Sequence, residues 1–239
     1  MWSYYGSKSK IVHLYPKPKF DKIIEPFAGS ARYALKYWEK DVLLIDKYEV
    51  VVSVWKWLQK CSEKDILGLP KLKQGDKISD FNLSSEESLF LGFCCAAGQI
   101  APRGKVSAFG DFTKNRRNGV YKVIASHLHK IRHWQIEIGS YENIENQNAT
   151  WFIDPPYQFG GQAYVKSSKD IDFCALGKWC KSREGQIIVC ENTKADWLPF
   201  LPITKIQGVG NTDTTEAIYT NLPTSFGRVQ TSIFKKNKK

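Results

Sequence analysis

Short apolar runs alternate with amphipathic stretches in the first quarter of the chain, and this order predicts an α/β fold. Residues 22–25 and 42–45 have the length and the apolar centre of buried parallel strands. A helical stretch over residues 31–40 lies between them, and residues 48–60 place their apolar side chains on one side of a second helix. A strand–helix–strand–helix order of this kind is typical of the opening of a doubly wound sheet.

The strand pattern returns in the second half of the chain. The predicted elements are strands over residues 134–138, 149–153 and 185–191, a helix over residues 170–183, and two late segments, residues 217–220 and 228–234. The two late segments are predicted to pair as an antiparallel hairpin. We therefore expect a Rossmann-like, doubly wound α/β sheet.

The middle of the chain breaks this pattern and predicts an insertion. A polar stretch rich in turn-forming residues comes first, and Ser84 and Glu87 then form a capping-box sequence that begins a helix over residues 89–97. Another helix is predicted over residues 120–131. The predicted division is a sheet domain of residues 1–59 and 133–239 and a mainly helical insertion of residues 60–132.

Length and composition exclude several classes of protein. The chain has 239 residues, of which 42% are apolar, enough for a hydrophobic core in one compact unit. No stretch approaches the ~20 uninterrupted apolar residues of a membrane helix, and the N-terminus lacks the regions of a signal peptide. We expect a cytoplasmic protein with no membrane partner. The six cysteines form no C-x-x-C pair and no cluster with the four histidines, which predicts buried thiols and no metal.

An excess of positive charge indicates a polyanionic partner. The chain has 35 Lys and Arg residues against 24 Asp and Glu residues, a formal net charge of +11. Each basic side chain placed on a phosphate releases a counterion, which favours nucleic-acid binding. Basic residues are equally compatible with a solvated surface, so the charge alone does not identify the partner.

The loop after the first predicted strand has the features of a ligand site. It consists of Phe27, Ala28, Gly29 and Ser30. Ligands of open α/β sheets bind at the carboxyl ends of strands, and Gly29 lets the backbone approach a ligand closely. Asp46 ends the next strand, at a spacing that suits a carboxylate bound to ribose hydroxyls. An ordinary βαβ turn followed by a surface aspartate is the alternative for this pair.

A second sequence with chemical potential directly follows the strand predicted over residues 149–153. It consists of Asp154, Pro155, Pro156 and Tyr157. Two consecutive prolines form a stiff loop whose carbonyls are available acceptors. The Asp154 carboxylate and a proline carbonyl can hold both N–H donors of an exocyclic amino group, which turns the nitrogen lone pair toward an electrophile. Tyr157 has a flat face that suits stacking on an extruded base, although a structural turn with a buried aromatic ring is the alternative.

These sequences together resemble the Dam-like group, or D12 class, of DNA adenine-N6 methyltransferases. Asp-Pro-Pro-Tyr resembles the catalytic motif of that group, and Phe-Ala-Gly-Ser resembles its F-x-G-x-G cofactor loop, in the same order along the chain. Three further segments are similar to elements of the group: residues 4–8 (YYGSK) to its N-terminal aromatic-x-G-G-K element, residues 138–141 to the segment before the catalytic strand, and residues 216–221 to its late E-x-x-x-x-N strand.

The resemblance implies methyl transfer from S-adenosyl-L-methionine to the N6 amino group of adenine in double-stranded DNA. It implies that Asp154 and the Pro155 carbonyl hold the amino group and that Tyr157 stacks on the flipped base. The implied catalytic residues are Asp154, Pro155, Pro156 and Tyr157. The implied cofactor contacts are Tyr4, Lys8, Phe27, Ala28, Gly29, Ser30, Asp46, Tyr141 and Asp154.

The resemblance also gives the insertion the role of reading the DNA sequence. Basic residues interspersed with glycine, asparagine and aromatic residues suit phosphate contact and groove insertion, with a solvated basic loop as the alternative. The candidate DNA-binding residues are Arg103, Lys105, Lys114, Arg116, Arg117 and Lys122. We further expect a monomer, with a cognate restriction endonuclease of the same system as a candidate second partner.

Two positions depart from the pattern of the group, and three other functions stay open. Ser30 and Ala31 stand where a final glycine is often found, and Ser140 stands where many members have an acidic residue. The first open function is methylation of cytosine N4, although the motif of such enzymes usually begins with Ser. The second is methylation of RNA or of a protein glutamine, and the protein-directed relatives usually begin the motif with Asn. The third is DNA binding without turnover.

Overall fold

A single seven-stranded sheet forms the centre of the computed structural model, which describes residues 2, 4–114, 119–207 and 213–223. The strands are β1 (Lys22–Glu25), β2 (Asp41–Asp46), β3 (Gln135–Ile138), β4 (Ala149–Ile153), β5 (Gly185–Asn192), β6 (Leu201–Gln207) and β7 (Asp213–Thr220). Their order across the sheet is β3-β2-β1-β4-β5-β7-β6. The pairs from β3 to β5 are parallel, whereas β7 is antiparallel to β5 and to β6. This mostly parallel sheet confirms the Rossmann-like α/β fold.

The central strands are apolar along their whole length because both faces of the sheet are covered. In β1, Ile23 packs into the hydrophobic cluster on one face and Ile24 into the cluster on the other. In β4, Phe152 and Trp151 divide in the same way. Side chains of successive strand residues point to opposite faces, so a strand that is buried on both sides shows a continuous apolar run.

Six helices lie among the described residues, and several are shorter than predicted. They are α1 (Arg32–Lys36), α2 (Glu49–Lys60), α3 (Glu63–Gly68), α4 (Ser85–Cys94), α5 (Val120–His127) and α6 (Phe173–Lys181). The helix predicted over residues 31–40 ends at Lys36, and the helix predicted over residues 120–131 becomes a 3-10 turn at Leu128. Helix α3 was not predicted, and it begins at a capping box formed by Ser62 and Asp65.

The described part of the insertion is mainly helical and packs directly onto the sheet domain. The capping box of Ser84 and Glu87 is confirmed, with the Glu87 N–H donating to Ser84 Oγ at 3.2 Å. Phe90 and Phe93 of α4 share one hydrophobic cluster with Trp55 of α2. The cluster thus continues across residue 60, and the division into two domains stays a prediction.

The end of the chain differs from the predicted hairpin. Residues 217–220 do form a strand, as part of β7, but its partners are β5 and β6. Strand β6 was not predicted, and residues 228–234 lie outside the described residues. Over the described ranges, none of the helices has the length and apolar character needed to cross a membrane.

Candidate active site

A pocket of about 300 Å³ opens at the carboxyl ends of β1, β2 and β4. The strand order reverses between β1 and β4, and doubly wound sheets bind ligands at such a switch point. The lining includes every residue predicted to contact the cofactor: Tyr4, Lys8, Phe27, Ala28, Gly29, Ser30, Asp46, Tyr141 and Asp154. Pro156 also lines the pocket, whereas Pro155 and Tyr157 lie outside the lining.

The loop after β1 is fixed to the end of β2 by backbone hydrogen bonds. Gly29 has φ +45°, and a Cβ at this position would lie 3.2 Å from the ring of Tyr4, so the turn requires glycine. The Gly29 N–H donates to Asp46 Oδ2 at 2.9 Å, and its carbonyl accepts from Trp55 Nε1 at 2.9 Å. The loop therefore presents a rigid edge without a side chain to the pocket.

Asp46 lies in the pocket wall and keeps acceptor capacity. Its Oδ1 accepts from the Tyr48 N–H at 2.8 Å, in addition to the bond from Gly29. Burial raises the pKa of Asp46 to about 6, although the two N–H groups lower it. A carboxylate has about four lone-pair sites, so two bonds leave room for further donors such as hydroxyl groups.

Ala31 adopts the conformation that a glycine would supply. Its φ of +44° makes it the one non-glycine residue with positive φ over the described ranges. The turn is therefore kept despite the departure from F-x-G-x-G, at a cost of about 1–2 kcal/mol for an L-residue in the left-handed region. Strain of this kind is typical of functional loops.

Asp154 forms a partly buried ion pair with Lys8. The Lys8 Nζ lies 2.9 Å from Asp154 Oδ1, donates to the Gly6 carbonyl at 3.1 Å and lies 3.9 Å from Glu216 Oε1. Burial raises the pKa of Asp154 to about 6, while the charge of Lys8 lowers it. Burial lowers the pKa of Lys8, but the two carboxylates outweigh burial and raise it overall. At neutral pH the pair is therefore ionised.

Glu216 of β7 fixes the tyrosine of the catalytic sequence. The hydroxyl groups of Tyr157 and Tyr15 both donate to Glu216 Oε1, each at 2.6 Å. The ring of Tyr157 also lies 4.7 Å below the ammonium of Lys8. These contacts position Tyr157 beside Asp154, and its stacking on a base stays a prediction.

The segment after Tyr157 is attached to the end of β5. Glu191 accepts from the N–H groups of Gln158 at 2.9 Å and Asn192 at 3.0 Å. The Asn192 side chain in turn donates to the Phe159 carbonyl at 2.8 Å. Burial raises the pKa of Glu191 to about 7, and the two N–H groups lower it. Glu191 thus supports the catalytic loop from beneath the sheet edge.

Two charged residues of the pocket were missed by sequence reasoning. Glu25 ends β1, and its Oε1 accepts from the Ala34 N–H at 2.6 Å. Burial raises the pKa of Glu25 to about 8, and that N–H lowers it. Arg32 begins α1 and also lines the pocket. A carboxylate that closes a buried strand just before Pro26 was a usable signal for Glu25, whereas no sequence pattern pointed to Arg32.

The predicted DNA-binding residues lie away from the pocket lining. Arg103, Lys105, Lys114 and Lys122 are exposed, whereas Arg116 and Arg117 lie outside the described residues. Lys114 lies 3.9 Å from Asp111, which partly balances its charge. The insertion nevertheless reaches the pocket wall, because the Tyr5 N–H donates to the Gln99 carbonyl at 3.2 Å.

Comparison with known families agrees with this geometry. A family model described as D12 class N6 adenine-specific DNA methyltransferase matches residues 4–172. The matched region contains the N-terminal sequence, the loop after β1, the insertion and the catalytic sequence, whereas Glu191 and Glu216 lie beyond it. No curated protein matches the chain.

Proposed function

The chain belongs to the D12 class N6 adenine-specific DNA methyltransferase family, and on that premise we propose that it methylates adenine N6 at specific sites in double-stranded DNA, with S-adenosyl-L-methionine as the methyl donor. One observation carries the proposal. A single pocket at the switch point of the sheet contains both the Gly29–Asp46 pair and Asp154. The groups suited to hold an adenosine-containing cofactor and the group suited to hold an amino group therefore face the same cavity.

The chemical groups of the pocket fit S-adenosyl-L-methionine. Asp46 has acceptor capacity for ribose hydroxyls, and the Gly29 loop allows close approach of the ligand to the backbone. Glu25 adds a buried carboxylate that complements an amino group. When bound, S-adenosyl-L-methionine supplies a methyl group activated by the positive charge of its sulfonium.

Asp154 and the Pro155 carbonyl then hold the two N–H donors of the target amino group. An ionised carboxylate only accepts hydrogen bonds, and Lys8 keeps Asp154 in that form at neutral pH. Holding both N–H groups orients the nitrogen lone pair toward the electrophile. Asp154 need not be a strong base, because the proton can leave after the nitrogen has become cationic.

The insertion supplies the proposed DNA surface. The exposed basic residues of its described part suit contacts with the phosphate backbone, and the proposal extends to Arg116 and Arg117 of the same segment. Its contact with the N-terminal sequence at Gln99 brings the DNA-facing segment next to the pocket. A target base flipped out of the duplex would then have a short path to Asp154.

The test is transfer of tritiated methyl groups into plasmid DNA, followed by nucleoside analysis. We expect label in N6-methyladenine, and Asp154→Ala should reduce the rate by at least about a hundredfold while cofactor binding persists. Asp196→Ala is a matched control, because Asp196 is exposed and lies outside the pocket. Label in N4-methylcytosine, label only in RNA, or near-parental turnover of Asp154→Ala would overturn the proposal.

A further inference from the structure

Arg32 places a cation in the pocket wall without an acidic partner. Its Nε donates to Ser7 Oγ at 3.0 Å, and its Nη2 donates to the Trp2 carbonyl at 2.6 Å. Both acceptors are neutral, and none of the carboxylates in the described part of the chain forms an ion pair with it. A guanidinium has five N–H donors, so these two bonds leave about three donors for another ligand.

The surroundings of Arg32 favour an anion. The residue is partly buried, and burial lowers the pKa of its guanidinium. A charge that is removed from water is normally paired or fully hydrogen-bonded, and Arg32 is neither. An anion that enters the pocket with the ligand would complete its coordination.

The other basic groups of the pocket lining do not offer the same capacity. Lys8 is paired with Asp154 at 2.9 Å, so its charge is already balanced. Lys47 and Lys166 line the pocket but are exposed to solvent. Arg32 also shares the Ser7 hydroxyl with Ser30, which ties its side chain to the loop after β1.

We propose that Arg32 binds the α-carboxylate of the amino-acid tail of the cofactor and thereby selects ligands that carry this tail. The inference rests on the proposed function, in which the cofactor is S-adenosyl-L-methionine. A carboxylate presents two coplanar acceptors, which the guanidinium fork matches better than an ammonium does. Glu25, in the same lining, offers the opposite charge for the amino group of the tail.

Calorimetry with two cofactor analogues separates this contact from the rest of the pocket. S-adenosylhomocysteine has the carboxylate, whereas decarboxylated S-adenosylhomocysteine has the same adenosyl thioether and amino group without it. We expect the parent chain to bind the first about tenfold to a hundredfold more tightly, the range for a hydrogen-bonded charge. Arg32→Met should abolish this preference by weakening only S-adenosylhomocysteine, and Arg32→Lys should retain part of it.

Lys36→Met is the matched control, because Lys36 lies on the same helix and is exposed outside the pocket. This variant should keep the preference of the parent. Equal weakening of both analogues in Arg32→Met would overturn the proposal and assign Arg32 to support of Trp2 and Ser7. Unchanged binding of both would also overturn it. If the parent chain binds neither analogue, the proposed cofactor itself fails, a result distinct from any pattern among the variants.

Discussion

Lys8→Met tests whether the ion pair with Lys8 sets the ionisation of Asp154. Methionine keeps much of the length of the lysine stem and removes its charge. In the parent, Lys8 Nζ lies 2.9 Å from Asp154 and 3.9 Å from Glu216, so one ammonium serves two carboxylates. Burial and the charge of Glu216 raise the pKa of Asp154, and Lys8 opposes both, with a result of about 6.

The expected size of the change follows from these contacts. An opposite charge at such a distance lowers a carboxyl pKa by about 1–3. Without Lys8, the pKa of Asp154 should therefore rise from about 6 to about 7–9. Near pH 7 the parent is mostly ionised at this site, whereas the variant is largely protonated. A protonated Asp154 presents an O–H donor where the amino group of the target needs an acceptor.

The assay is the pH dependence of single-turnover methyl transfer with saturating DNA and cofactor. The acid limb of the Lys8→Met profile should move up by about one to three pH units, with part of the rate recovered at high pH. Lys8→Arg keeps the charge and should hold the acid limb near that of the parent. Calorimetry of cofactor binding, run alongside, shows whether the pocket is intact.

The reasoning would be refuted by an acid limb that does not move. A Lys8→Met profile with the parental midpoint and a lower rate at every pH would mean that Lys8 does not control the charge of Asp154. If cofactor affinity fell at the same time, Lys8 would instead have the role that the family resemblance implies, a direct contact with the cofactor.

Three further predictions concern Glu25, Glu191 and the insertion. Burial raises the pKa of Glu25 from 4.5 to about 8, so the folded chain binds more protons than the unfolded chain between these values and stability falls as pH rises through them. Glu25→Gln should thus stabilise the protein against urea by about 2–4 kcal/mol at pH 8, a gain that disappears below pH ~4.5. Glu191→Gln leaves one of two N–H groups facing an amide NH₂, so kcat should fall about tenfold with cofactor affinity unchanged, and parental kcat would contradict the support of the catalytic loop. Arg103→Ala with Lys105→Ala should weaken binding to all duplexes alike and reduce the salt slope by about one per phosphate contact, whereas a parental slope in anisotropy titrations would mean that both are merely solvated.

The sheet was predictable because its signal is local, and β6 was missed because its signal is weak. Strands β1, β2 and β4 are buried on both faces, which leaves continuous apolar runs in the sequence. Strand β6 pairs on one side only and contains Pro202, next to a shift in its register with β7. Proline is tolerated at such edges and bulges, but it makes a sequence read as a non-strand.

The loop after β1 shows the same division between local and tertiary information. Gly29 could be predicted as a close-approach position because glycine has a direct conformational meaning. Ala31 gives no such signal, and only the structure shows it in the left-handed region at φ +44°. Its Cβ is buried in the hydrophobic cluster, so packing compensates part of the strain that a glycine would avoid. The family pattern therefore survives here as a backbone conformation without the residue that usually specifies it.

The charge state of the catalytic carboxylate depends on residues that no local pattern connects. The Asp-Pro-Pro-Tyr sequence predicts two acceptors, but the ionisation of Asp154 depends on Lys8 from the N-terminal segment and on Glu216 from β7. Glu216 also holds the hydroxyl of Tyr157, so the same residue that raises the pKa of Asp154 positions its neighbour. A chain with the motif but without Lys8 would have a carboxyl group of higher pKa in the same place. Activity at neutral pH therefore requires the sheet to bring all three segments together.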